Sequence, residues 1–254
     1  MDEQRIKSVV SEKGPIRLSK LLACASPGER ALVELRVLHM VKKGILRAER
    51  AEKDILLTVG PSGEEKAEAS PFVNTEVAIV ATLPMGVQHK HAELRRCIGM
   101  LAAFNMLIAG AKRELRISSP FADPETIALL RPSFRKAAGG GVMIKFLTRS
   151  ARDRQLLAAL RSISDVYAKL GIPDKFSVKC YEVSVAGMLV EAIHAKVVIA
   201  DRRVAYVGSG ELRRHSLTAD VEIGVLLRGA AVEHLADLFD VVWEKAATLN
   251  FRPA

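Results

Sequence analysis

The sequence predicts an α/β protein in which a sheet is covered by helices on both faces, with a small α+β domain ahead of it. Three observations carry that reading. From residue 73 onward, apolar runs of strand length alternate with segments of helical period. Several of those runs, 77–83 and 221–227 among them, are apolar almost throughout, the pattern of strands with both faces buried. The chain has 254 residues, more than one average domain of roughly 150 and fewer than two large ones, which leaves room for a medium domain and an appendage. A composition of 49% hydrophobic and 26% charged residues, with 17 Gly and 10 Pro, excludes disordered, collagenous and low-complexity classes.

Residues 1–59 are assigned to the small domain. Ile6, Val9 and Val10 have helical spacing and stop at Gly14-Pro15, and residues 18–23 form a short second helix. Pro27-Gly28-Glu29 opens a third helix, with Leu32, Leu35, Leu38 and Val41 along one side and Gly44 as its cap. Strands at 45–48 and 55–58 flank a charged turn at 49–54. Three helices and a β-wing resemble a winged helix-turn-helix domain; Lys43-Gly44-Ile45-Leu46 at the helix-to-wing corner and Leu57-Thr58-Val59-Gly60 at the end of the wing add to the likeness. The third helix of such domains enters the DNA major groove, so the resemblance implies phosphate contacts from Arg30, Arg36 and Lys42, and from Arg47, Arg50 and Lys53 on the wing. Dimerisation without DNA is the alternative, because Glu29 and Glu34 share that helix and the segment is nearly neutral. Residues 60–72 have the composition of a linker.

In the larger domain, 73–254, strands are expected at 77–83, 115–118, 142–147, 177–183, 189–200, 204–207 and 221–227. Helices are expected at 95–111, 127–138, 155–170 and 231–245. Gly139-Gly140-Gly141 follows a helix and precedes a strand, the reverse of a phosphate-binding loop, and reads as a helix cap.

The net charge is +9, of which residues 73–254 carry +7. That excess favours anionic partners, nucleic acid ahead of a lipid surface. The longest apolar stretch, 99–111, contains Asn105 and is shorter than the roughly 20 residues a membrane span needs. Met1-Asp2-Glu3-Gln4-Arg5 lacks the basic start and apolar core of a secretory signal, so a cytoplasmic protein is expected. Cys24, Cys97 and Cys180 lie far apart and form no CxxC pair, which argues against a disulfide framework or zinc knuckle and suggests reduced core filler. His89-Lys90-His91 follows a Pro-Met-Gly turn without Cys or Asp partners and reads as a solvated loop; no metal or other cofactor is expected.

The chemistry concentrates in Ile193-His194-Ala195-Lys196, Asp201, Gly208-Ser209-Gly210-Glu211 and Val221-Glu222-Ile223-Gly224. On one strand, His194 and Lys196 would share a face. An imidazole and an ammonium set among Val and Ile need an anion to satisfy them, either a phosphate or the carboxylate of Glu222 on a nearby strand. A Gly-Ser turn lets backbone amides and a hydroxyl approach an oxyanion. The ordered set is His-x-Lys, four residues, Asp, six residues, Gly-Ser, then Glu on an apolar strand. It resembles the HKD signature of the phospholipase D superfamily, closely from 191 to 245 and more loosely from residue 73 onward.

That resemblance implies a phospholipase D-like α/β sandwich and a metal-independent phosphodiesterase. His194 would attack phosphorus and form a phosphohistidine. Lys196 and Ser209, with the amides near Gly208, would hold the nonbridging oxygens. Glu222 would orient His194, and Asp201 would brace the loop after the strand. The superfamily usually has Asn where this chain has Glu211, whose carboxylate would repel a diester unless protonated, turned away, or paired with Arg213, Arg214 or a cation. Single-HKD members dimerise, which implies a homodimer with one shared centre and one His194 acting as general acid.

The basic excess and the winged-helix-like segment favour nucleic acid, DNA ahead of RNA, over stable membrane association. Thr82-Leu83-Pro84, His194-Ala195-Lys196 and Glu222-Ile223-Gly224-Val225-Leu226 are similar to phospholipase D-like components of DISARM-type bacterial defence systems, which implies defence-system partner proteins. The alternatives are a phospholipase or phosphatidyl transferase, and a non-catalytic DNA-binding regulator with a phospholipase D-like ligand domain.

Overall fold

The computed structural model describes residues 1–51, 54–60, 74–84, 96–150, 152–185 and 188–250. The chain forms two compact units, Met1–Pro71 and Phe72–Ala254.

In the first unit, α1 (Glu3–Lys13) starts where the Asp2 carboxylate accepts from the Arg5 N–H at 2.8 Å. It ends at Gly14, whose φ of 68° suits glycine. There follow β1 (Ile16–Arg17), α2 (Leu18–Ala23), a 3₁₀ turn (Pro27–Glu29) closed by a Ser26/Glu29 capping box, and α3 (Arg30–Lys42). A hairpin of β2 (Leu46–Ala51) and β3 (Asp54–Val59) completes an antiparallel sheet of order β1-β3-β2. The hairpin is tighter than the turn expected at 49–54.

The expected apolar side of α3 is corrected. Val33, Val37 and Met40 enter the core with Ile6, Leu21, Leu46 and Leu57, while Leu32, Leu35 and Leu38 stand 47%, 64% and 60% exposed. Both stripes have helical spacing, and packing against α1 and the sheet selected the other one.

The second unit is built on a nine-stranded mixed sheet. Its elements in chain order begin with β4 (Thr75–Thr82), β5 (Ile98–Gly99), α4 (Met100–Gly110), β6 (Glu114–Ser118) and α5 (Pro124–Gly139). Next come β7 (Met143–Thr148), α6 (Arg154–Lys169), β8 (Phe176–Cys180), β9 (Glu182–Val185) and β10 (Met188–Ala192). The last are β11 (Val197–Ala200), β12 (Val204–Gly208), α7 (Arg214–Thr218), β13 (Glu222–Gly229), α8 (Ala230–Lys245) and β14 (Ala247–Thr248).

The strand order is β14-β8-β7-β6-β11-β12-β13-β4-β5, with β6, β7 and β8 parallel and β6-β11-β12-β13-β4 antiparallel. Phe104, Leu130, Phe134, Leu160 and Ile163 of α4 to α6 cover one face, and Val232, Ala236 and Phe239 of α8 pack on the other. The unit is therefore an α/β sandwich. Gly140 caps α5, donating to the carbonyls of Lys136 and Ala137, and Gly141 follows at φ 70°.

Three expected elements divide differently. The helix expected from 95 begins at Met100; Ile98–Gly99 is instead paired in parallel with β4, and Arg95 lies outside the described residues. The strands expected at 177–183 and 189–200 each break, at Tyr181 and at 193–196. Between the breaks, β9 and β10 pair, among the described residues, only with each other, so the chain must corner where it leaves and re-enters the large sheet. The cysteines are not core filler: Cys24 is exposed, and Cys97 and Cys180 are half-buried. Among the described residues no helix is long and apolar enough to cross a membrane.

Candidate active site

One edge of the sheet gathers the ends of β6, β12 and β4 and the starts of β11 and β13, as the pairings Ser118↔Val197, Gly208↔Gly224 and Thr82↔Glu222 place them. His194 and Lys196 sit there. They lie in the non-strand stretch entering β11, not on a strand as expected. That stretch is tied down by the Ser118 hydroxyl, which donates to the Ala195 carbonyl at 2.9 Å, and by the Gly208 N–H, which donates to the Lys196 carbonyl at 3.4 Å.

Lys196 Nζ donates to the His194 carbonyl at 3.2 Å and stands 3.2 and 3.4 Å from the two ring nitrogens. Near-equal distances to both nitrogens put the ammonium over the ring, not along one lone pair. The imidazole is exposed. The Lys196 side chain, 14% exposed, has the Glu211 carboxylate 4.0 Å away.

The Ser209 hydroxyl donates to Glu222 and accepts the Ile223 N–H at 3.1 Å. Glu222 thus holds Ser209 in this structure and is not bonded to His194, which corrects the expected pairing. The amides expected to meet an oxyanion are also engaged: Ser209 N–H donates to the Ile223 carbonyl at 3.0 Å, and Gly210 N–H to Tyr206 Oη at 2.9 Å.

The glycines serve Tyr206, which sequence reasoning missed. A Cβ on Gly210 would stand 3.0 Å from its Oη, and one on Gly224 2.8 Å from both Cζ and Oη. The ring meets Phe104 edge-on at 4.9 Å. Burial, with Glu222 nearby, pushes the phenol up to about 12 despite the Gly210 N–H. The only signal in the sequence was a Tyr beside a cluster of glycines.

Asp201 lies at the other end of β11, with φ 55°. Its carboxylate accepts from the N–H groups of Lys112, Arg113 and Glu114 at 2.8, 2.8 and 3.0 Å, fixing the start of β6 to the β11–β12 turn. Burial alone would raise its pKa, but those donors hold it below the usual value.

Glu211 is 12% exposed, with Oε1 3.6 Å from Arg213 Nε. Burial pushes its pKa up, Lys196 and Arg213 pull it partly back, and Glu222 adds to the rise. A carboxyl with a raised folded-state pKa favours folding when protonated, so its contribution falls as pH climbs from the ordinary 4.5 through the raised value. Glu211→Gln is expected to stabilise the protein by about 1 kcal/mol at pH 7. In urea titrations the advantage should shrink toward pH 4.5, the ordinary value of the group.

Asp123, Gln155, Glu211, Arg213, His215 and Glu222 line an open cleft of about 480 Å³ beside this edge. The Arg213 guanidinium lies 4.2 Å from the centre of the Phe121 ring. Asp123 caps α5 and accepts the Arg214 N–H at 2.8 Å. His215, 77% exposed, reaches the cleft wall without any motif to mark it.

Of the residues expected to meet DNA, Arg30 and Arg47 are exposed. Arg36 is not available as expected: its guanidinium turns inward, half-buried, and donates to the Met1 carbonyl. The side chains of Lys42 and Arg50, together with Lys53 and His89 to His91, lie outside the described residues.

Residues 105–243 match the family described as cardiolipin synthase, PLD-like domain. The matched stretch contains His194, Lys196, Asp201, Ser209 and Glu222, and the chain belongs to this phospholipase D-like domain family. The DISARM protein DrmC of Bacillus paralicheniformis is 24% identical over 158 residues, covering 62% of this chain and 59% of that relative's length. NucT from Helicobacter pylori covers 69% of this chain and 100% of its own, with a TM-score of 0.51 at 12% identity. The phospholipase D family member Nuc from Salmonella typhimurium covers 70% and 100%, with a TM-score of 0.48 at 16% identity. The likeness to NucT is one of fold.

Proposed function

We propose that the protein is a metal-independent phosphodiesterase acting on nucleic acid through a phosphohistidine. The observation that carries this reading is the meeting of His194, Lys196, Ser209 and Glu222 at one sheet edge. A ring nitrogen of His194 attacks phosphorus, and the bond to the leaving oxygen breaks. That oxygen takes a proton from a second imidazole, which then removes one from water; the water attacks phosphorus and releases His194. Lys196 meets the nonbridging oxygens, with Ser209 turning from Glu222 toward substrate.

Among the described residues no other HKD set supplies the second imidazole, so His194 of a second copy is assigned that role across a twofold axis. The first unit has three helices and a sheet of order β1-β3-β2, which supports a winged-helix reading, with Arg30 and Arg47 as the exposed cations of its DNA face. A bacterial, cytoplasmic defence setting with partner proteins is proposed from the likeness to DrmC.

The test is incubation of the purified protein with single- and double-stranded DNA, RNA and phosphatidylcholine vesicles, each with and without EDTA. DNA cleavage that survives EDTA is expected. Cleavage of the lipid alone, or loss of all cleavage with EDTA, overturns the reading.

A further inference from the structure

Arg213 lines the cleft beside the catalytic edge, its side chain 45% exposed and its guanidinium 4.2 Å from the centre of the Phe121 ring. Phe121 is half-buried and does not line the cleft, so the ring backs the guanidinium and leaves its other side to the cleft. The pair is held in place. Ala122 bridges Leu212 in parallel, the Asp123 N–H donates to the Leu212 carbonyl at 2.9 Å, and the Leu212 N–H donates to the Ser119 hydroxyl at 3.2 Å. Arg149 flanks the same ring at 5.9 Å. A guanidinium fixed over an aromatic ring is a platform on which a further planar group can stack.

The walls of the cleft decide what that group is. Asp123, Glu211, Asp220 and Glu222 share its lining with Arg213 and His215, an acidic surplus that repels phosphate. A nucleobase carries no such charge. Its π-face suits the guanidinium, and an exocyclic amino group on its edge suits carboxylates, which accept up to about four hydrogen bonds each. Asp220, 57% exposed and 4.0 Å from His215, keeps acceptor capacity for one. The chemistry lies close by: Glu211 stands 3.6 Å from Arg213 and 4.0 Å from Lys196, whose Nζ is 3.2 Å from the His194 ring. A phosphate held by Lys196 and His194 therefore has its neighbouring nucleoside at Arg213.

We propose that the cleft binds the unpaired base of the nucleotide next to the scissile phosphate, stacked on Arg213 over Phe121, and favours a base with an exocyclic amine, cytosine above thymine. This inference rests on the phosphodiesterase proposed above and names the base that its site reads.

The experiment is equilibrium fluorescence anisotropy in EDTA with the His194→Ala protein, so that strands are bound without being cut. The probes are labelled strands of equal length: oligodeoxycytidine, oligodeoxythymidine and an abasic deoxyribose phosphate. Oligodeoxycytidine is expected to bind about 10-fold more tightly than the abasic strand and about 3-fold more tightly than oligodeoxythymidine. Adding Arg213→Lys, which keeps the charge and loses the plane, is expected to cut the preference over the abasic strand to about 2-fold. Phe121→Leu, which removes the backing ring, is expected to lower it in the same direction.

Base-bearing and abasic strands that bind alike, a preference that survives Arg213→Lys, or equal affinity for the two pyrimidines overturns the base cleft and leaves the phosphodiesterase standing. The unsubstituted protein, assayed on the same strands, tests that reading separately: base preference without cleavage overturns the catalytic proposal and leaves the base-binding cleft.

Discussion

Replacing His194 with Ala should lower phosphodiester turnover by about 10⁴-fold or more while leaving the melting temperature unchanged. Loss of an attacking group removes the covalent route altogether, leaving the residual rate that positioning and charge stabilisation provide. Stability should be indifferent because the imidazole is exposed and its side-chain contact is with Lys196. Lys196→Met should cost about 10³-fold, chiefly in kcat, since an ammonium facing the nonbridging oxygens stabilises charge that grows toward the transition state. Single-turnover assays with a labelled DNA diester would measure both. An H194A protein that retains a tenth of the parent activity would remove His194 as the nucleophile.

Gly224→Ala should destabilise the second unit by about 3 kcal/mol or more and abolish activity with it. The added Cβ would stand 2.8 Å from Cζ and Oη of Tyr206. The ring has nowhere to retreat. It is fully buried, Phe104 lies edge-on at 4.9 Å, and its hydroxyl is held by the Gly210 N–H. Because Gly208 and Gly224 are cross-strand partners, a shift to relieve one clash would drag the strand bearing Ser209 away from Glu222. Gly139→Ala is the control: an added Cβ there meets nothing within 4 Å, and the residue closes α5. Its melting temperature should be unchanged or slightly raised. Equal losses for G139A and G224A would mean that the ring cage is not what the glycines protect.

Much of the second unit was legible because its signals are local. Leu115 to Ser118 and Val204 to Val207 read as strands from short apolar runs, and the helices read from 127 and 155 start a few residues earlier or at the same turn, capped by the carboxylates of Asp123 and Asp153. The candidate site was legible as a set of residues, because His194, Lys196, Ser209 and Glu222 stand at a recognisable spacing. Its internal contacts were not. Which oxygen Glu222 receives depends on the register of β12 against β13, a pairing that no run of residues encodes by itself.

The sequence by itself determined the α/β class, the approximate elements and the residues of the candidate site, because periodicity and spacing are properties of adjacent residues. Tertiary structure alone decided which stripe of α3 is buried, that His194 stands on a corner and not a strand, and that Arg36 turns inward to Met1. It also decided that Val77, Ile79 and Ile223 remain exposed. The physical reason is common to all of them. An apolar or charged side chain gains by finding a partner, but several partners satisfy the same local pattern, and only packing between segments distant in the chain selects one.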